Sequence, residues 1–90
     1  MRVVIAEDSV LLREGLVHLL ADAGIAVVAA VGDADLFLRA VDEHVPDLCI
    51  VDIRMPPTHT DEGVRAALVL RARHPDVAIL MLSQYVEERY

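Results

Sequence analysis

The chain predicts an α/β fold, a parallel β-sheet with helices packed on both of its faces. Three observations support this. Short, wholly apolar runs alternate with longer segments whose apolar residues recur every three or four positions, so strand and helix periods take turns. The run Leu48-Cys49-Ile50-Val51 contains no polar residue, the pattern of a central strand covered on both faces. The resulting order, βαβαβαβ with room for a further helix, joins successive strands through helices, and such crossovers are right-handed and produce parallel sheets.

Each element has a local cause. Val3–Ala6 is the first apolar run and stops at Glu7-Asp8. After Ser9 the period changes: Leu12, Leu16, Leu19, Leu20 and Ala23 fall on one face of a helix. Asp8 or Ser9 is placed to cap its start, and Gly24 stands where a left-handed residue ends a helix. Ile25–Val31 is the second strand, and Gly32-Asp33 turns the chain. Phe37, Ala40, Val41 and His44 form a weaker helical stripe that Pro46 terminates. Leu48–Val51 is the third strand. Arg54–Asp61 holds two adjacent prolines and no apolar period, so it reads as a loop. A third helix runs from about Glu62 to His74, with Gly63, Ala66, Ala67 and Leu70 on one face. The fourth strand, Val77–Leu82, follows the Pro75-Asp76 turn, and Ser83 is placed to cap a fourth helix. The expected strand order is 2-1-3-4.

Composition narrows the function classes. The apolar share of 56% exceeds the ~45–50% of an average soluble domain, which excludes disorder. One Phe, two Tyr and no Trp cannot build an aromatic platform for single-stranded nucleic acid. All eight basic residues are Arg; against fifteen acids they leave a net charge of −7, which phosphate backbones repel. The single Cys49 has no partner for an internal disulfide and reads as core. The longest apolar run, Ile25–Val31, is far short of the ~20 residues of a membrane span. The expectation is a soluble, cytoplasmic domain that binds neither membrane nor nucleic acid by itself.

In open parallel sheets ligands bind at the carboxyl ends of the strands. The polar residues there are Glu7 and Asp8 after the first strand, Asp52 after the third and Ser83 after the fourth. Separately each has a structural explanation: a cap, a turn residue, a helix start. Together, three carboxylates in one cleft repel by roughly 3 kcal/mol per pair at ~5 Å and an effective dielectric of ~20. A proton or a cation must compensate. Oxygen ligands without adjacent Cys or His favour a hard cation such as Mg²⁺, which points to phosphoryl chemistry. His18, His44 and His74 read as solvated, His59 lies in the loop beside the cleft, and Met55 packs at the loop base.

These residues resemble those of a known family. Val3–Ser9 with Leu12-Arg13-Glu14-Gly15-Leu16, then Pro46–Pro56, then Val77–Ser83, are similar to the receiver domains of bacterial two-component response regulators, in particular those preceding a LuxR-type helix-turn-helix. The resemblance spans the chain and implies a flavodoxin-like, three-layer receiver fold over residues 1–90. It implies that Asp52 is the phospho-acceptor, that Glu7 and Asp8 bind Mg²⁺, and that Asp8 is the more direct ligand. It implies a further metal ligand in the backbone carbonyl of Arg54, and a switch hydroxyl in Ser83 that hydrogen-bonds the phosphoryl group. Tyr85 would lie on the signalling surface. The partner would be a sensor histidine kinase.

Two features depart from the family. The loop from Pro56 to Gly63 is longer than usual. Family members also continue through a fifth strand, which carries a Lys, and a last helix; this chain has no Lys. The sequence therefore reads as the N-terminal part of a receiver, lacking its fifth strand, last helix and a DNA-binding effector domain. That leaves the fourth strand at a sheet edge, apolar on both faces, and predicts a homodimer or larger oligomer formed by edge pairing or by exchange of Gln84–Tyr90. The leading reading is a phospho-acceptor module with no turnover substrate, and so not an enzyme. The alternative is an interaction or oligomerisation module that is never phosphorylated. An aspartyl phosphatase would want a second acid where Arg54 stands. A nucleotide or flavin binder would want a glycine-rich phosphate loop that no strand here precedes.

Overall fold

Four parallel strands in the order β2-β1-β3-β4 form the sheet in a computed structural model that describes residues 1–55 and 61–82. The elements are β1 (Arg2–Ala6), α1 (Val10–Asp22), β2 (Ala26–Val31), α2 (Ala34–His44), β3 (Leu48–Asp52), α3 (Glu62–Arg73) and β4 (Ala78–Leu82). Strand order and helix sequence are those expected from the alternating periods, with ends shifted by a residue or so. The expected cap at Ser83 and the segment Gln84–Tyr90 lie outside the described residues.

The two central strands are the most buried part of the chain. Side chains alternate across β1 and β3 and feed two separate cores. On one face Val4, Ala6, Cys49 and Val51 pack with Phe37, Ala40 and Val41 of α2 and with Ala66 and Leu70 of α3. On the other, Val3, Ile5 and Ile50 pack with Leu16, Val17 and Leu20 of α1. This three-layer arrangement is what the unbroken apolar run in β3 requires. Burial pushes the Cys49 thiol up to about 12, so it is an inert core residue. Met55 is fully buried at the base of the loop, as expected.

The structure corrects the face assigned to α1. None of its residues is fully buried, and Leu12 and Leu19, placed on the inner stripe by spacing, face outward at 38% and 66% exposure. The inward arc is Leu16, Val17 and Leu20, with Arg13 at its upstream end. Val10, Leu11, Leu12, Leu16, Val17, Leu19 and Leu20 encircle most of the helix. Apolar periodicity therefore cannot single out one face, and contact with β1 and β3 decides it.

The helix ends carry the chemistry expected of them. Ser9 Oγ accepts from the Leu12 N–H at 3.3 Å, and Asp33 Oδ1 accepts from the Leu36 N–H at 2.8 Å. Gly24 takes φ +79° after α1. At the end of α2 the left-handed position is occupied by Val45, φ +42°, an unfavourable place for a β-branched residue. Arg2 braces that turn: its guanidinium donates to the His44 carbonyl at 2.6 Å, and its N–H donates to Asp47 Oδ2 at 2.7 Å.

The expectation of a solvated His74 is also corrected. Asp42 of α2 accepts from Arg73 Nη1 at 2.8 Å and pairs with His74 Nε2 at 2.9 Å, tying the ends of α2 and α3 together. His74, then Arg73, hold the Asp42 carboxyl below its ordinary range. Such an exposed cluster contributes modestly. No described helix is long and apolar enough to cross a membrane.

Gly15 lies inside α1, and a methyl group there would meet no neighbouring atom within 4 Å. Gly15→Ala is expected to stabilise the fold by about 1 kcal/mol, because Ala loses less backbone entropy in a helix. The check is urea denaturation: the midpoint should rise with an unchanged slope.

Candidate functional site

Parallel pairing of the two central strands builds the site. Ala6 stands opposite Val51, so the residues that follow, Glu7 just past β1 and Asp52 at the end of β3, stand side by side. Glu7 is fully buried, Asp52 is 2% exposed and Asp8 is half-buried. Each offers one carboxylate oxygen, and these oxygens lie within 4.8 Å of one another. The three acids expected from the sequence are thus brought to one point at the carboxyl end of the sheet.

The loop between β1 and α1 is fixed on several sides. The Glu7 N–H donates to the Val31 carbonyl at 2.9 Å, Glu7 Oε2 accepts from the Ser9 N–H at 2.9 Å, and the Glu7 carbonyl accepts from Arg13 Nη1 at 2.8 Å. Ser9 therefore does two things: its hydroxyl caps α1 and its amide orients a buried carboxylate.

Asp52 is held by its own strand end. Oδ1 accepts from the Arg54 N–H at 3.3 Å, and the Ile53 N–H donates to the Leu82 carbonyl of β4 at 3.0 Å. The start of α3 then presses on the same backbone. The Gly63 N–H donates to the Ile53 carbonyl at 2.9 Å, and a side chain at Gly63 would place its Cβ 1.9 Å from the Asp52 carbonyl oxygen. Only glycine permits that approach, so the first turn of α3 sets the height at which Asp52 stands.

Burial raises the Asp52 carboxyl above its ordinary range; the Arg54 amide pulls the other way, and the neighbouring Asp8 charge adds to the rise. The cluster is thus reluctant to hold three negative charges without a counter-ion. Its donors are all carboxylate oxygens at one point, which suits a hard divalent cation of the Mg²⁺ kind. Arg54 itself is exposed. Ser83, Tyr85 and His59 lie outside the described residues. Sequence reading placed Gly63 on the stripe of α3 and Arg13 in α1 without giving either a part in the site, because a bond from a guanidinium to a backbone carbonyl and a close backbone approach leave no mark in apolar periodicity.

The topology with this edge of the sheet defines the class of flavodoxin-like α/β receivers. Residues 3–90 match the family model of the response regulator receiver domain, and the chain belongs to that family. It is 37% identical over 90 residues to the transcriptional regulatory protein DegU of Brevibacillus brevis, covering 99% of this chain and 37% of that protein. It is also 37% identical over 87 residues to a protein-glutamate methylesterase/protein-glutamine glutaminase of Haloarcula marismortui, covering 97% of this chain and 22% of that one. Among solved structures, a LuxR-family two-component response regulator from an Aurantimonas species superposes with a TM-score of 0.81 at 29% identity, over 91% of this chain and 57% of that one. The chain thus spans well under half the length of these two sequence relatives.

The raised Asp52 carboxyl has a consequence for stability. A group whose folded pKa is raised favours the fold below its unfolded value, near 3.8, and that contribution disappears as pH rises through the folded value. At pH 7 without divalent cations, ionised Asp52 therefore opposes folding. Asp52→Asn is expected to raise the melting temperature by several degrees, on the order of 1 kcal/mol, at pH 7, with the difference shrinking at lower pH. Melting curves of both proteins in chelator from pH 4 to 8 check this.

Proposed function

We propose that the chain is the phospho-acceptor module of a two-component response regulator, with Asp52 receiving the phosphoryl group from a phosphohistidine of a sensor kinase. The convergence of Glu7, Asp8 and Asp52 within 4.8 Å carries this reading. A bound Mg²⁺, held by Asp8, Asp52, the Arg54 carbonyl and Glu7, the last through water, would offset charge on the cluster and on the incoming phosphoryl oxygens. Asp52 is the nucleophile. A carboxylate oxygen forms the O–P bond as the P–N bond breaks, the electron pair stays on the imidazole nitrogen, and the product is an acyl phosphate. Desolvation supports this role by leaving the carboxylate poorly solvated. Ser83 is assigned the hydrogen bond to the phosphoryl group, which would couple the modified site to the segment after β4.

The module has no turnover substrate and acts as a switch rather than an enzyme. In a longer regulator of the LuxR type it would control a DNA-binding domain in the cytoplasm, while these residues, at net charge −7, would leave DNA contact to that domain.

The test is mass spectrometry after incubation with acetyl phosphate and Mg²⁺. The wild-type chain is expected to gain one phosphoryl group and Asp52→Asn none. Equal modification of both would refute the assignment, and no modification of either would favour an unphosphorylated interaction module.

Self-association is the second part of the proposal. Among the described strands β4 has a single neighbour, β3, and Leu80 at mid-strand is 51% exposed. An apolar edge strand without Lys or Pro is a template for pairing. Light scattering at micromolar concentration is expected to give a dimer or larger species, with Leu80→Arg shifting it toward monomer. A monomeric wild-type chain would overturn this part.

A further inference from the structure

We propose that Arg13 is the positioning residue of the acidic cluster, a latch from α1 that fixes the Glu7 peptide and thereby aims the Glu7 and Asp8 side chains. The proposal rests on reading that cluster as a divalent-cation site. Arg13 begins the inward arc of α1, four residues after the cap Ser9, and is half-buried. Among the described residues its hydrogen bond goes to a neutral acceptor, the Glu7 carbonyl, at 2.8 Å. That carbonyl belongs to the peptide joining the two metal-binding acids, so holding it sets the direction of both side chains.

The second half of the latch is Gly32, in the turn after β2. A Cβ there would come 3.0 Å from Arg13 Nη1, while Asp8 Cα and the Glu7 carbonyl oxygen would both be 3.9 Å away, an ordinary contact. The missing side chain therefore makes room for the guanidinium and for little else. The turn after β2 meets here the loop carrying the acids and the first turn of α1 that follows it. The Glu7 N–H, bonded to the Val31 carbonyl one residue before Gly32, ties the same two loops from the other side.

Charge and positioning make opposite demands. Removing a positive charge next to a cation site, by itself, tightens cation binding. Releasing a group that orients ligands loosens it, by 10–100-fold for typical outer-shell partners of a metal site. The sign of the change therefore separates the two roles.

The experiment is a Mg²⁺ titration of the chain, followed by calorimetry and by the backbone amide resonances of Glu7, Asp8 and Ser9. Arg13→Met is expected to bind Mg²⁺ on the order of tenfold more weakly than wild type. Gly32→Ala, whose methyl crowds the guanidinium and shifts it by a few tenths of an ångström, is expected to weaken binding less than Arg13→Met does, and the double variant to bind no more weakly than Arg13→Met alone, the non-additivity of groups sharing one contact. Arg13→Met binding as tightly as wild type or more tightly overturns the latch. If Arg13→Met does not fold, Arg13→Gln, which removes the charge and withdraws the donor, decides in its place, and binding as tight as wild type or tighter overturns the proposal. If wild type binds no Mg²⁺, the cation reading fails instead; the latch is then judged by hydrogen exchange at Glu7 and Ser9, where faster exchange in Arg13→Met supports it and equal exchange refutes it.

Discussion

The register between β1 and β3 is the constraint on which the rest depends. With Ala6 opposite Val51, Glu7 and Asp52 continue the two strands in step and share the face that α1 covers. A slip of one residue would turn every side chain of β3 to the opposite face, placing Cys49 and Val51 against α1 and removing Asp52 from Glu7. The two apolar cores forbid that slip. The energy that aligns the carboxylates is therefore supplied by Val3, Val4, Ile5, Cys49, Ile50 and Val51, none of which belongs to the cluster.

Aligning the acids has an opposing cost, since burial and like charge both resist ionisation of Asp52. The structure contains this locally. The Ser9 amide satisfies Glu7, the Arg54 amide satisfies Asp52, and the glycine at the start of α3 lets a helix close over the strand end without a side chain intervening. The carboxylates stand on a well-packed base, and burial together with the Asp8 charge resists ionisation of Asp52.

Much of this was legible in the chain. The change of period at Ser9, the polar-free run Leu48–Val51 and the turn residues Gly24, Asp33 and Pro46 specified the elements and their order. The rule that strand carboxyl ends face one cleft then located Glu7, Asp8 and Asp52. What stayed hidden was set by tertiary contact. The inner face of α1 was ambiguous because leucines surround the helix. The pairing of His74 with Asp42 joins residues 32 apart in sequence. The approach of Gly63 to Asp52 depends on how closely α3 meets β3, which no periodicity encodes. Val45 ran against its own preference, since a β-branched residue before a proline argues for extended backbone.

That last residue bears on how the domain can change. The turn through Val45 lies at the amino end of β3, at the opposite pole of the sheet from the carboxylates, and Arg2 secures it from β1. Its unfavourable backbone is thus separated from the carboxylate cluster by the full length of the central strands. Drift at this position can adjust how firmly the domain holds together while leaving the geometry of Glu7, Asp8 and Asp52 alone. The cost of that turn is borne by the Arg2 brace and not by the strand ends that carry the acids.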